Sequence, residues 1–190
     1  ELTGFFQTES SHHASEYLPH FRRTPELVGR YLPERWDYLE LCRAHDDAEL
    51  EETAARLAAG PLEAGDEVAA AIADSLVTGT PRVVYGNVRN DGLITNLPDG
   101  CCVEVPCAVD ATGVSPTYVG DLPTACAAVN LGTVAVQACV VEAFETRSRD
   151  LVHAALALDR LTSAVLTLDE IHALADELLE AQAAWLPRFT

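Results

Sequence analysis

The 190-residue chain contains no Met and no Lys, is only 6% aromatic, and pairs none of its six cysteines as C-x-x-C. Without Met, Glu1 is not a translational start, and the chain reads as a piece of something longer. Without Lys, all 12 basic residues are Arg, set against 30 acids, for a net charge of −18. Such a surface repels nucleic acid and anionic membranes, so neither is an expected partner. No apolar run is read as long enough to span a membrane, and no basic-then-apolar leader is present. The acidic, Lys-free balance fits a salt-adapted protein, whose carboxylates stay hydrated while salt screens their repulsion. It equally fits a coding bias that exchanges Lys for Arg. Cys42, Cys101, Cys102, Cys107, Cys126 and Cys139 sit mostly in apolar settings. They read as small buried thiols in a reducing cytoplasm, not as a metal site.

What is present is concentrated near the start. Thr8-Glu9-Ser10-Ser11-His12-His13-Ala14-Ser15-Glu16-Tyr17-Leu18-Pro19 gathers polar and titratable groups with almost no apolar filler. A core has no use for so many, because every buried polar group needs a hydrogen-bond partner. The segment reads as part of a site that grips a hydroxylated ligand. A helix N-terminus capped by Thr8 or Ser10 is the plainer alternative, and both can hold together.

Further along, 18–25 predicts a short helix closing into a turn at Pro19 and Pro25. Residues 27–57 predict exposed helices with one buried stripe through Trp36, Leu39, Leu41, Leu50 and Leu57. Val68, Ile72, Leu76 and Val77 recur at helical spacing, with Asp66 as cap and Gly79 as stop. The period then changes. Three short strands are expected over Arg82-Val83-Val84-Tyr85-Gly86-Asn87-Val88, Leu93-Ile94-Thr95-Asn96 and Cys101-Cys102-Val103-Glu104-Val105-Pro106, joined by Asn90-Asp91-Gly92 and Leu97-Pro98-Asp99-Gly100 turns. Residues 110–122 read as a loop. Residues 124–145 predict a buried central helix, 148–158 a shorter one, and Thr167-Leu168-Asp169-Glu170 a capping box before the last. The sum is an α+β domain, helices packed on a small, mainly antiparallel sheet.

Two constellations carry chemistry. On a helix, His13, Glu16 and Tyr17 share a face through i, i+3 and i+4 contact, where imidazole, carboxylate and phenol bind sugar hydroxyls or relay a proton. Glu9, Ser11 and His12 flank them. The spacing matches no regular metal-ligand pattern. The second constellation is Asn87, Asn90 and Asn96, whose amides both donate and accept. Asn90 is also the residue a tight hairpin turn would select without any ligand. No glycine-rich dinucleotide loop, phosphate loop or serine nucleophile elbow occurs. From residues alone, a polyhydroxyl-binding α+β domain is as far as the reading goes.

The opening cluster, Gly86-Asn87-Val88-Arg89-Asn90-Asp91-Gly92-Leu93-Ile94-Thr95-Asn96-Leu97-Pro98, and Val103-Glu104-Val105-Pro106 together resemble the NAD-dependent glycoside hydrolases of family four. The α-galactosidase and α-glucosidase branch is the most similar. Tyr118-Val119-Gly120-Asp121-Leu122-Pro123, Leu161-Thr162-Ser163-Ala164-Val165-Leu166, Leu168-Asp169-Glu170-Ile171 and Trp185-Leu186-Pro187 extend the likeness over most of the chain. It covers only the C-terminal part of such enzymes. The resemblance implies the C-terminal domain of a lactate/malate dehydrogenase-like fold, residues 1–190 serving substrate binding and oligomer contacts. The dinucleotide-binding domain would lie outside this chain.

The same resemblance implies a cytoplasmic homo-oligomer acting on a small sugar with NAD and Mn2+, neither held by residues of this piece. Family chemistry oxidises the sugar C3 hydroxyl, removes the acidified C2 proton, eliminates the aglycone, adds water and reduces the ketone. Two-carboxylate glycosidases work differently. His13, Glu16 and Tyr17 match a His-x-x-Glu-Tyr pattern of the family. Ser11 stands where some branches carry an Asp that is a candidate base, and serine is the weaker base. His12 replaces what is often an acid. The implied assignment is Ser11, His13 and Tyr17 as catalytic, with Glu9, His12, Glu16, Asn87 and Asn90 on the substrate. A non-catalytic sugar-binding or interaction domain, or part of a sugar dehydrogenase, is the alternative.

Overall fold

The computed structural model describes residues 3–5, 11–32, 38–60, 65 and 67–190. Thr8, Glu9, Ser10, Trp36 and Asp66 lie outside the described residues, as do the side chains of Ser11 and Leu41. Among the described residues, the first half is helical: α1 (Ser11–Tyr17), a single 3-10 turn (Pro19–Phe21), α2 (Pro25–Tyr31), α3 (Tyr38–Ala58) and α4 (Val68–Thr78). Three strands follow: β1 (Arg82–Arg89), β2 (Cys102–Asp110) and β3 (Gly113–Pro116). The chain then returns to helix: α5 (Thr124–Thr146), α6 (Arg149–Leu158), α7 (Thr162–Val165) and α8 (Leu168–Ala181).

The sheet is antiparallel throughout, in the order β1-β2-β3. Alternation puts Val103, Val105, Cys107 and Val109 of β2 on one buried face, joined by Val84 and Ile94. Helix α4 covers that face with Ile72. Arg82 fastens the two layers, reaching Asp74 at 2.6 Å, Ser75 Oγ at 2.8 Å and the Ala71 carbonyl at 3.2 Å. Gly79 stops α4 as expected, in the left-handed region at φ 76°, its N–H bonded to the Ser75 carbonyl. The cap position is Glu67, whose side chain makes no cap bond.

Two strand expectations are corrected. Leu93-Ile94-Thr95-Asn96 is not a strand but part of the loop between β1 and β2. Asn90 lacks the positive φ of the tight hairpin turn, because its amide builds a wider loop instead. The third strand is Gly113–Pro116, inside the stretch read as a loop. Asp110 makes that turn: its Oδ1 accepts from the Thr112 N–H at 2.7 Å and hydroxyl at 2.6 Å.

Loop 90–101 is joined to segment 117–122 as if by a zipper. Val119 and Gly120 donate to the Leu93 carbonyl, Thr95 donates to Gly120, and the Thr95 hydroxyl donates to Asp121. Asn96 pairs with the Leu122 backbone in both directions, at 2.8 and 2.9 Å. Asn90 occupies the centre.

Helix α5 is the main departure from expectation. Instead of being buried, it sinks only Ala127 and Ala143, while Leu131, Val140, Val141 and Phe144 are exposed. By length and composition it is apolar enough to cross a membrane, and little of it is buried. That corrects the reading that no run reaches such a length: Ala, Val, Gly and Thr build it without a Leu-rich signature. A helix packed in the core of a water-soluble protein has the same composition. Its inner side lies on α6, and Gly132 admits the Arg160 guanidinium, whose Nη2 donates to the Ala128 carbonyl at 2.8 Å. A Cβ at Gly132 would stand 2.8 Å from Arg160 Nε. The stripe expected on α3 is likewise uncovered, with Leu39, Leu50 and Leu57 all exposed. Of the thiols, Cys107 is buried, Cys42, Cys101, Cys126 and Cys139 are half-buried, and Cys102 is exposed, so the buried reading holds for Cys107 alone.

The last helices follow their sequence signals. Ser148 caps α6 through the Leu151 N–H, and Thr167 with Glu170 forms the reciprocal capping box of α8. Between them, Asp176 of α8 receives His153 Nε2 at 2.7 Å and Arg149 Nη2 at 2.8 Å. The His153 ring stacks on His172 with centroids 4.4 Å apart.

The His153 hydrogen bond first, and Arg149 next, hold the Asp176 carboxyl below its ordinary 3.8. The Thr167 N–H and hydroxyl lower Glu170 in the same sense. A depressed folded value contributes stability above the unfolded value, and the contribution is lost as pH falls through the folded one. Thermal melts should therefore fall in temperature between about pH 5 and pH 3. Asp176→Asn should flatten part of that fall. An unchanged pH dependence would mean that the cluster contributes nothing.

Candidate functional site

Helix α1 carries the first group of candidate residues. Seven residues are too few to hold a helix by propensity alone, so its shape depends on side-chain ties. The chain turns back at Leu18-Pro19, which brings Arg22 under the helix it has just left. Arg22 Nε donates to Ser15 Oγ at 2.6 Å, and Nη2 donates to the His12 carbonyl at 3.0 Å and to Glu16 Oε1 at 3.4 Å. Ser15, fully buried, donates onward to the same His12 carbonyl at 2.5 Å. The other Glu16 oxygen, Oε2, lies 3.6 Å from His13 Nδ1.

The polar groups are thus divided by role. Ser15 and Arg22 hold the helix, while His13 and Glu16 present their side chains at 58% and 47% exposure. Tyr17 is 47% exposed. The expected i, i+3 neighbourhood of His13 and Glu16 is present, an imidazole whose charge state sets the strength of its contact with the carboxylate. His12 is half-buried, its carbonyl used by Arg22. Glu9 lies outside the described residues, and nothing is described of the Ser11 side chain.

Arg22 was not read from the sequence as part of this group. The signal was available: an Arg a few residues beyond a Leu-Pro turn, returning to a short helix rich in acceptors.

The asparagines separate. Asn87 is exposed on the outer face of edge strand β1, with Tyr85 on the same side and Glu104 its cross-strand partner. It is free to meet a ligand. Asn90 is not. Its side chain is 0% exposed. Nδ2 lies 3.0, 3.2 and 3.1 Å from the carbonyls of Ile94, Leu97 and Pro98, and Oδ1 accepts from the Ile94 N–H at 2.9 Å. Asn90, expected on substrate, instead gives its amide to the loop backbone, where the Ile94 N–H has it as acceptor and the Leu97 carbonyl has it as donor. Asn96 serves the same purpose against Leu122.

Among the described residues, no group of three or more His, Cys, Asp or Glu is placed to hold a metal ion. That set does not fit a resident metal.

Residues 1–162 match the family 4 glycosyl hydrolase C-terminal domain. The chain is 34% identical to an α-galactosidase of Bacillus subtilis (strain 168) over 98% of its length and 44% of the relative's. It is 36% identical to an α-galactosidase of Rhizobium meliloti (strain 1021), over 98% of this chain and 40% of that one. It thus spans less than half the length of these relatives. The 6-phospho-β-glucosidase of Thermotoga maritima superposes in its monoclinic form at TM-score 0.67, with 21% identity, over 94% of this chain and 42% of that one. Its tetragonal form, with manganese, NAD+ and glucose-6-phosphate, superposes at 0.59, with 25% identity, over 85% and 41%. The fold is the expected one, helices on a small antiparallel sheet, shared with this glucosidase. By that match over most of its length, the chain belongs to the family 4 glycosyl hydrolases and forms their C-terminal domain.

Proposed function

We propose that the protein containing this chain hydrolyses α-galactosides by the NAD- and Mn2+-dependent redox route of its family, with residues 1–190 as its C-terminal substrate domain. The observation that carries the reading is the likeness, over 98% of the chain, to two α-galactosidases. The Thermotoga relative with manganese, NAD+ and a sugar phosphate supports the cofactor assignment. In this reading dinucleotide and metal are held outside this chain, and the residues here act on the sugar.

His13, with Glu16 at 3.6 Å, moves a proton, and Tyr17 on the same short helix contributes its phenol. Glu16 orients the imidazole. Ser11, Glu9 and His12 complete the cluster from its N-terminal side. Asn87 meets sugar hydroxyls from the outer sheet face. A homo-oligomer in the cytoplasm belongs to the same reading. The charge of −18 argues against a polyanionic partner.

The test is turnover of the full-length protein on p-nitrophenyl α-galactoside, p-nitrophenyl α-glucoside and free galactose, with and without NAD+ and Mn2+. Release of nitrophenol only when NAD+ is present is the expected result, faster with the galactoside. A faster glucoside reaction would move the assignment to α-glucosides. Cleavage without NAD+ defeats the redox route, and oxidation of free galactose without cleavage makes the protein a dehydrogenase.

A further inference from the structure

We propose that Arg22 is a positioning residue of the sugar site, a guanidinium that fixes the His13–Glu16 pair from behind; this rests on the function proposed above. Three observations carry it. Arg22 is mostly enclosed, at 17% side-chain exposure, whereas the two groups it supports, His13 and Glu16, are 58% and 47% exposed. Its two nitrogens reach three separate acceptors on one seven-residue helix: Ser15 Oγ, the His12 carbonyl and Glu16 Oε1. Glu16 is gripped at one oxygen by Arg22 and faces His13 with the other, so its carboxylate plane is set by the guanidinium.

The geometry uses the forked shape of arginine. Nε and Nη2 point in nearly the same direction, which lets one side chain bridge a hydroxyl and a carbonyl while also touching a carboxylate. A Lys ammonium reaches Glu16 or the His12 carbonyl but has no second arm to hold Ser15. The helix itself is too short to fix its axis without such a tie. An imidazole displaced by about 1 Å from its working position costs on the order of a hundredfold in rate. Arg22 therefore acts on turnover without touching sugar or cofactor.

The experiment compares wild type, Arg22→Lys and Arg22→Ala in the full-length protein, by NAD+-dependent cleavage of p-nitrophenyl α-galactoside and by amide hydrogen exchange over residues 11–17. Arg22→Ala should lower kcat about 10- to 100-fold with KM changed far less, and should speed exchange in α1. Arg22→Lys should restore only part of kcat. Three results overturn the inference: kcat within twofold of wild type in Arg22→Ala, full recovery in Arg22→Lys, or faster exchange with kcat per folded molecule unchanged. A wild-type protein with no NAD+-dependent cleavage defeats the functional reading first, and the role of Arg22 with it, before any variant is compared.

Discussion

His13→Ala in the full-length protein should lower kcat on the α-galactoside by about 10²- to 10⁴-fold, the span over which a positioned proton-transfer group contributes. Folding should be unaffected, because the imidazole is 58% exposed and the ties that hold α1 run through Ser15 and Arg22. A circular dichroism melt alongside the kinetics separates the two effects. Unchanged turnover would reduce the opening cluster to a helix start. Since His13 and Asn87 stand on different elements, their convergence on one sugar is tested by the double variant with Asn87→Ala: losses that fail to add indicate a shared substrate.

The second large effect belongs to stability. Asn90→Ala should destabilise the chain by about 3 kcal/mol or more, read as a lower urea midpoint. The buried Ile94 N–H would lose its acceptor, the Leu97 carbonyl its donor, and the Ile94 and Pro98 carbonyls one of their two donors. Buried groups left unpaired are among the few routes to so large a single-residue loss. Asn90→Asp should be nearly as damaging, because a carboxylate cannot donate to three carbonyls. A variant that unfolds like wild type would mean that the loop stands without its amide. Activity assays on Asn90 variants would report unfolding, not lost sugar contact.

These two residues also show what was legible in the sequence. Where the signal is local and repeated, it read through: Ser148, Thr167 with Glu170, and Gly79 marked helix ends that the structure keeps. The α+β class followed from the change of period alone. The sheet was misjudged where side chains replace backbone partners. Leu93-Ile94-Thr95-Asn96 has strand composition, but the Asn90 side chain takes the Ile94 N–H, while Leu93 and Thr95 bond to Val119 and Gly120 instead of to a neighbouring strand. Gly113–Pro116 was missed because its turn depends on the Asp110 carboxylate, a small signal inside a Gly/Pro-rich stretch. The α5 error has another cause. Apolar composition reports that a helix will be covered, not which molecule covers it. At the site, residue type identified His13 and Glu16, whereas Arg22 required knowing that the Leu18-Pro19 turn folds the chain back onto itself.

The cross-bonding of loop 90–101 to segment 117–122 limits how far this edge of the sheet can move. With Leu93, Thr95, Asn96 and Asn90 all committed to fixed main-chain partners, this rim of the sheet has no slack from which to form a closing flap. The ordering entropy that a mobile gate would spend on each visit was spent once, during folding.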